Sequence, residues 1–128
     1  MKEDYCNYDL SLVLKACGFD EPCIAQWACE PDGKPILLGS TAFVFSNATL
    51  KGRDVTAPLL YHAQKWLREK KKMHCQVLLN GVRSMFFWQV RELVGNGRYA
   101  DSTHQYDLYE DAMSDCIAAA LKLIKKGE

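Results

Sequence analysis

The chain has 128 residues, the length of one ordinary domain. Hydrophobic residues make up 48% of it and charged residues 25%, a balance that excludes a disordered, collagen-like or coiled-coil chain. Sixteen basic residues balance sixteen acidic ones, so no net charge draws the whole chain to nucleic acid or to a membrane. Because the apolar runs are too short to span a bilayer, we expect one globular domain over 1–128 and no membrane partner.

The N-terminus and the cysteines both bear on the compartment. Acidic residues at positions 3 and 4 and the lack of a following apolar stretch are not typical of a secretory signal, so we expect a cytoplasmic protein. The six cysteines are Cys6, Cys17, Cys23, Cys29, Cys75 and Cys116. In a reducing compartment these are expected to be free thiols that pack as small apolar side chains. Their spacings do not match the paired ligands of a zinc site, so no metal is expected.

The first part of the chain predicts a helix followed by a hairpin. Apolar residues repeat at helical spacing over 8–17, with Asn7 suited to cap the helix and Gly18 suited to end it. Segments 23–29 and 34–38 are predicted to be strands joined by a Pro-Asp-Gly turn.

The middle of the chain is less regular and then returns to helix. Residues 39–53 are long for a loop inside a compact domain, and 41–45 within them are either a short strand or an extended segment. A second helix is expected to follow, with Asp54 or Thr56 as its N-cap and Pro58 in its first turn.

The last part predicts a second hairpin and a closing helix. Strands are expected over 75–79 and 84–93, joined at Asn80-Gly81, which is a strong signal for a two-residue hairpin turn. The closing helix is predicted to start at Asp107, three residues before an acidic side chain, and to end near 126.

These elements give the order α-β-β-α-β-β-α. Since the strands are joined by hairpins, the predicted fold class is α+β, with a four-stranded, mainly antiparallel sheet packed with three helices. The helix-hairpin unit occurs twice without sequence identity between the copies, so any duplication is topological.

The fourth predicted strand carries the most informative pattern. One face holds Phe86, Trp88 and Val90. The opposite face holds Met85, Phe87, Gln89 and Arg91, and is therefore apolar at one end and polar at the other. Either the helices or the 39–53 segment cover both faces, or part of this second face is exposed and binds a second copy or another protein. A small-molecule pocket is a third alternative. The four residues of the second face are the candidate interface.

Charge is distributed unevenly along the chain. The net charge is −5 over 1–33, +8 over 34–98 and −3 over 99–128. The basic middle segment either contacts phosphates of a nucleic acid or is neutralised by the acidic ends. The residues proposed for phosphate contact are Lys65, Arg68, Lys71, Lys72 and Arg83. No known nucleic-acid-binding module is recognisable, so this function is the alternative hypothesis.

The sequence contains no recognised catalytic motif. His62, His74 and His104 lie outside any metalloprotease or triad pattern, and no nucleophile elbow or phosphate-binding loop is present. We therefore expect a protein that is not an enzyme, with no catalytic residue and no cofactor. A cysteine-dependent enzyme is a further hypothesis, and it requires an exposed thiol of low pKa.

Three stretches together resemble a known group of proteins. They are 15–23 (KACGFDEPC), 58–69 (PLLYHAQKWLRE) and 109–112 (YEDA). This order resembles a group of small uncharacterised proteins encoded in gut bacterial genomes, often in prophage-like regions, and only 39–53 matches poorly. The resemblance implies an accessory protein of phage or mobile-element origin, and it implies no activity, cofactor or catalytic residue. The first hypothesis is therefore a self-associating accessory protein.

Overall fold

The computed structural model describes residues 4–39, 44–95 and 97–126, which belong to two compact units, Met1–Leu59 and Leu60–Glu128. The described residues form three helices and two three-stranded antiparallel sheets, so the α+β class and the three helices are confirmed. The predicted single four-stranded sheet is wrong, because the two hairpins lie in separate sheets and each sheet adds a short third strand to its hairpin. The single domain over 1–128 stays a prediction.

The predicted helices and strands are found within a few residues of their expected bounds. The elements are α1 (Tyr8–Ala16), β1 (Ala25–Cys29), β2 (Pro35–Gly39), β3 (Val55–Thr56), α2 (Leu60–Lys70), β4 (Met73–Asn80), β5 (Met85–Glu92), β6 (Tyr99–Asp101) and α3 (Tyr109–Lys126).

Helix α1 begins and ends as its sequence predicts. The Asn7 side chain accepts a hydrogen bond of 2.8 Å from the Leu10 N–H, which satisfies one of the donors left free in the first turn. Gly18 follows the helix with φ +97°, a conformation that other residues adopt only at a cost.

The first sheet has the strand order β2-β1-β3, with β1 in the centre. The helix caps predicted at Asp54 and Thr56 are wrong, because both residues serve this sheet instead. Thr56 lies in β3 opposite Gln26, and the Asp54 carboxylate accepts a hydrogen bond of 3.0 Å from the Cys29 N–H at the end of β1. The core of this unit is built on Ala25, Trp27, Val55 and Ala57.

The loop before β3 is held by one buried amide. Residues 41–43 of the predicted 41–45 strand lie outside the described residues, and Phe45 forms an isolated bridge with Cys23. Asn47 is only 7% exposed, and its side chain donates to the Phe19 carbonyl (2.7 Å) and accepts from the Thr56 N–H (3.0 Å). Asn47 therefore joins the segment that follows α1 to the short strand β3.

The second sheet has the order β4-β5-β6, and its first turn differs from the prediction. Asn80 pairs with Met85, so the hairpin has a four-residue loop over 81–84 instead of a two-residue turn. The Asn80 side chain accepts from the Val82 N–H (3.1 Å), and Ser84, not Gly81, adopts a positive φ of 53°. The loop is built around an Asx turn at Asn80.

Helices α2 and α3 pack on one face of the second sheet, called here the inner face. They contact each other, and both contact β4. The inner face carries the fully or nearly fully buried side chains Met73, Cys75, Trp88 and Val90. The Gln64 side chain of α2 donates to the Cys75 carbonyl over 2.8 Å, which fixes α2 along the outer edge of β4.

A helix followed by a hairpin occurs twice along the chain, but the third strand is placed differently in the two sheets. In the first sheet, the third strand pairs with the first strand of the hairpin, whereas in the second sheet it pairs with the second. The topological duplication therefore ends at the hairpin.

We expect Asn47→Ala to lower the free energy of unfolding by about 2–4 kcal/mol, because it leaves a buried carbonyl and a buried N–H without partners. Urea unfolding followed by circular dichroism measures the loss. Val44→Ala in the same loop is the control, since Val44 is 65% exposed and its truncation should change stability by less than about 0.5 kcal/mol. Equal stability of the Asn47 and Val44 variants would contradict this role.

Candidate protein-binding face of the second sheet

The four predicted interface residues lie together on the side of β5 opposite the two helices. Met85, Phe87, Gln89 and Arg91 alternate with the inner-face residues, and all four are half-buried. Their neighbours on β4 and β6 are Asn80, Leu78, Gln76, His74, Asp101 and Tyr99. This set of ten residues is called the outer face.

One half of the outer face is apolar. Phe87 pairs with Leu78 across the two strands, and Met85 follows at the hairpin end. An open groove of about 340 Å³ adjoins this half. Its lining residues are Asn80, Phe87, Ser102, Thr103, His104 and Gln105. Phe87 therefore forms part of a concave surface that a partner's side chain can enter.

The other half is polar, and its side chains are held by one another. The Arg91 guanidinium lies 3.0 Å from the Asp101 carboxylate and 5.2 Å from the centre of the Tyr99 ring. His74 and Gln76 make a hydrogen bond of 3.1 Å. Arg91 and Asp101 are 43% and 49% exposed, so water screens their ion pair and it adds little stability. What the pair does supply is a fixed, nearly neutral polar surface.

The loop beside the groove is anchored by residues that sequence patterns did not single out. Tyr106 pairs with Phe86 through two main-chain hydrogen bonds of 2.7 and 2.8 Å. Its hydroxyl accepts from the Trp88 indole (3.2 Å) and donates to the Asp115 carboxylate (2.6 Å). Burial and the hydrogen bond to Asp115 raise the pKa of Tyr106, so the hydroxyl stays protonated at neutral pH. These contacts hold one wall of the groove.

The structure brings together only part of the predicted nucleic-acid set. Lys65 and Arg68 lie on α2, and Lys71 and Lys72 follow its end. The Lys71 ammonium lies 5.6 Å from the centre of the Trp66 ring, and the Lys72 ammonium donates to the Glu69 carbonyl (3.0 Å).

Arg83 lies apart from those four basic residues. It is in the 81–84 loop, at the far end of the eight-residue strand β4. A strand of that length spans about 26 Å. The length of β4 therefore separates Arg83 from Lys71 and Lys72, and nucleic-acid binding stays a prediction.

Arg98, from the basic middle segment, is committed to an internal ion pair. Its guanidinium contacts the Glu92 carboxylate at 2.6 and 3.1 Å and donates to the Leu123 carbonyl. The Arg98 main-chain N–H also donates to Glu92 (3.2 Å). The side-chain hydrogen bond from Arg98 holds the pKa of Glu92 below its usual value. Glu92 and Arg98 thus close the turn between β5 and β6.

Four of the six cysteines are buried: Cys6, Cys23, Cys75 and Cys116. Burial raises the pKa of the Cys6 thiol, and it raises that of Cys23 to about 11. The hydrogen bond to Cys116, together with burial, raises the pKa of Cys75. At neutral pH these three sulfurs are uncharged thiols, the form that is weakly nucleophilic.

Neither a metal-binding cluster nor a membrane-spanning helix is found in the described part of the chain. Among the residues described, no three His, Cys, Asp or Glu side chains are grouped in a way that could hold a metal ion. Within the described ranges, no helix has both the length and the apolar character needed to cross a membrane. Comparisons with protein-family models, with curated proteins and with solved structures find no match to this chain.

The Glu92–Arg98 pair predicts a pH-dependent contribution to stability. Because the folded-state pKa of Glu92 is lowered, its contribution is present above the ordinary glutamate pKa of 4.5 and is lost as the pH falls through the folded value. The stability difference between the wild-type protein and Glu92→Gln should therefore shrink as the pH is lowered below 4.5. Urea unfolding at several pH values measures it, and a pH-independent difference would contradict the pairing.

The burial of the thiols predicts two classes of reactivity. In the native protein, Cys17 and Cys29, which are half-buried, should react with a thiol reagent before the four buried cysteines, which should react only on unfolding. Reaction with Ellman's reagent, with and without denaturant, measures the two phases. A Cys17→Ser/Cys29→Ser variant should lack the fast phase, and six equally fast thiols would contradict the burial.

Proposed function

We propose that this protein is a small, cytoplasmic, non-enzymatic accessory protein of phage or mobile-element type that acts by binding protein. Its binding surface is the outer face, and its first partner is a second copy of the same chain. The observation that carries the proposal is that α2 and α3 both pack on the inner face, while the opposite face carries Met85, Phe87 and Leu78.

The composition of the outer face supports a protein partner. An antiparallel sheet that is packed on one side normally presents polar side chains on the other. Here Phe87, Leu78 and Met85 supply apolar area and the groove beside Phe87 supplies shape. Interfaces between proteins combine an apolar centre with a polar rim that water can reach, and the outer face has both parts.

The charge of the outer face supports a second copy as the partner. Arg91 and Asp101 already neutralise each other within the chain, so the face does not require a partner of opposite charge. A twofold arrangement can place the two apolar halves against each other and leave both polar halves at the rim. Two sheets packed face to face in this way lie about 10 Å apart, with their side chains interdigitating.

We expect Phe87→Asp to remove the association at the outer face, because it places a charge at the centre of the apolar half. The weight-average mass in a sedimentation-equilibrium concentration series should fall at every concentration. Val82→Asp is the matched control, since Val82 is 95% exposed in the 81–84 loop and its substitution should leave the mass unchanged. Thermal unfolding of both variants checks that they stay folded.

Two outcomes would contradict the proposal. One is a folded Phe87→Asp variant whose mass equals that of the wild-type protein throughout the series. The other is a wild-type protein that is monomeric at all concentrations. Binding of single- or double-stranded DNA or RNA that weakens steeply with added salt would instead favour the nucleic-acid alternative.

A further inference from the structure

We infer that β2 is a second, independent interaction surface, which pairs edge to edge with β2 of another copy of this chain. The pairing is antiparallel, is centred on Leu37 and joins two three-stranded sheets into one of six strands. It goes beyond the outer-face proposal, because it uses a different sheet and the main chain in place of an apolar face.

The hydrogen-bond pattern of β1 and β2 shows which main-chain groups point outward. The Glu30 N–H donates to the Lys34 carbonyl over 2.9 Å, so 30 and 34 form a hydrogen-bonded pair of the ladder. In an antiparallel ladder such pairs alternate with non-bonded ones. Ile36 and Leu38 therefore direct their N–H and C=O groups toward β1, and Leu37 and Gly39 direct theirs to the free side.

The two edge strands of this sheet, β3 and β2, differ in whether their outward main-chain groups are hydrogen-bonded. On the outer side of β3, the Thr56 N–H points away from β1 and donates to the Asn47 side chain over 3.0 Å. On the free side of β2, no residue in the described part of the chain bonds to the main chain of Leu37 or Gly39. The β3 edge is thus bonded by a side chain of the loop before it, whereas the main-chain donors and acceptors of Leu37 and Gly39 have no partner among the described residues.

The usual devices that protect an edge strand are scarce in β2. Natural edges are blunted by charged side chains, bulges, extreme shortness or a covering element. The β2 sequence, PILLG, has no charged residue, and its one proline is the first residue. Ile36 and Leu38 are 39% and 44% exposed on the same side of the strand. The edge is thus flanked by uncovered apolar side chains.

The sequence of β2 fits a second copy of itself in one register. With Leu37 opposite Leu37 of the partner subunit, each of the two N–H groups donates to the other residue's carbonyl. The Gly39 N–H then donates to the carbonyl of Pro35 of the partner subunit. By the twofold symmetry, the N–H of Gly39 of the partner subunit donates to the Pro35 carbonyl. Pro35, which has no N–H, falls at the end of the ladder, where it breaks no inner hydrogen bond.

The same register brings the exposed side chains together. Ile36 lies beside Leu38 of the partner subunit, and Leu38 lies beside Ile36 of the partner subunit, both in non-hydrogen-bonded pairs. In such pairs the Cα atoms are only about 4.5 Å apart, so the apolar side chains pack closely. Four side chains that are now in contact with water would form one cluster, which supports a copy of this strand as the occupant.

The test uses the full chain carrying Phe87→Asp, so that association at the outer face is absent. In this background, sedimentation equilibrium should still detect a dimer. Adding Ile36→Lys/Leu38→Lys places lysine opposite lysine twice and should weaken the dimer at least tenfold. Adding Ile36→Lys/Leu38→Glu instead places lysine opposite glutamate twice and should restore it. Leu12→Lys on α1, at a position 36% exposed, is the control and should change nothing.

Hydrogen exchange reports on the pairing directly. The Leu37 and Gly39 amides should exchange quickly at low protein concentration and become protected as the concentration rises, in proportion to the dimer. A Phe87→Asp protein that is monomeric throughout, with both amides unprotected, would overturn the inference. So would a Lys/Lys variant that still dimerises, or a Lys/Glu variant that does not.

The two surfaces fail in distinguishable ways. If Phe87→Asp alone leaves the wild-type mass unchanged while the Lys/Lys variant of the otherwise wild-type chain is monomeric, the outer-face proposal is wrong and the β2 pairing stands. If Phe87→Asp alone gives a monomer, the outer face stands and the β2 pairing is wrong. If each variant alone lowers the mass but retains a dimer, both surfaces operate, and two twofold interfaces on one chain allow assembly beyond a dimer.

Discussion

The contact of α3 with the inner face of the second sheet determines which side chains of β5 are buried and which lie on the outer face. Cys116 of α3 lies close enough for its sulfur to contact the Gln89 carbonyl at 3.4 Å, so the helix sits directly on the strand. Trp88 and Val90 are buried beneath it. A shift of one residue in the pairing would turn Arg91 and Gln89 inward and bury a charge without a partner. The packing of α3 therefore fixes the register, and the register leaves Met85 and Phe87 on the outer face.

The regular parts of this architecture could be predicted because they depend on local periodicity. The apolar stripes of the helices and the Asn7 cap are set by residues a few positions apart, and the structure confirms them. Strands β3 and β6, of two and three residues, are too short to produce a pattern. They exist because a neighbouring strand offers free main-chain groups, and that information is not local. Which strands pair is likewise not local information, and the single-sheet prediction failed because the two hairpins lie in separate sheets.

Polar side chains were the hardest to interpret from the sequence. Asp54 has the residue type of a helix cap, yet its carboxylate binds the Cys29 N–H across 25 positions. Asn47 is a residue type that is common in exposed loops, yet it is buried, and its side chain bonds to the main chain of Phe19 and of Thr56. Asn80 signals a hairpin correctly, but the signal does not determine the loop length. In each case the side chain satisfies a main-chain group whose position only the folded chain defines. That the four candidate interface residues share one face of a strand was therefore predictable, while the anchors of the adjoining groove, Tyr106 and Asp115, were not.

The net charge of a sequence segment does not take account of ion pairs formed within the fold. The segment 34–98 has a net charge of +8, but it is divided between the two compact units. Within it, Arg91 and Arg98 are paired with Asp101 and Glu92. Two of the eleven basic side chains of this segment are thus bound by acids of the same fold. The apolar half of the outer face and the strand β2 carry no charged side chain. In the free protein, uncharged surfaces of this kind are in contact with water. A protein partner displaces that water by covering apolar area or by adding a strand to the sheet. This is why the partner we propose is a protein.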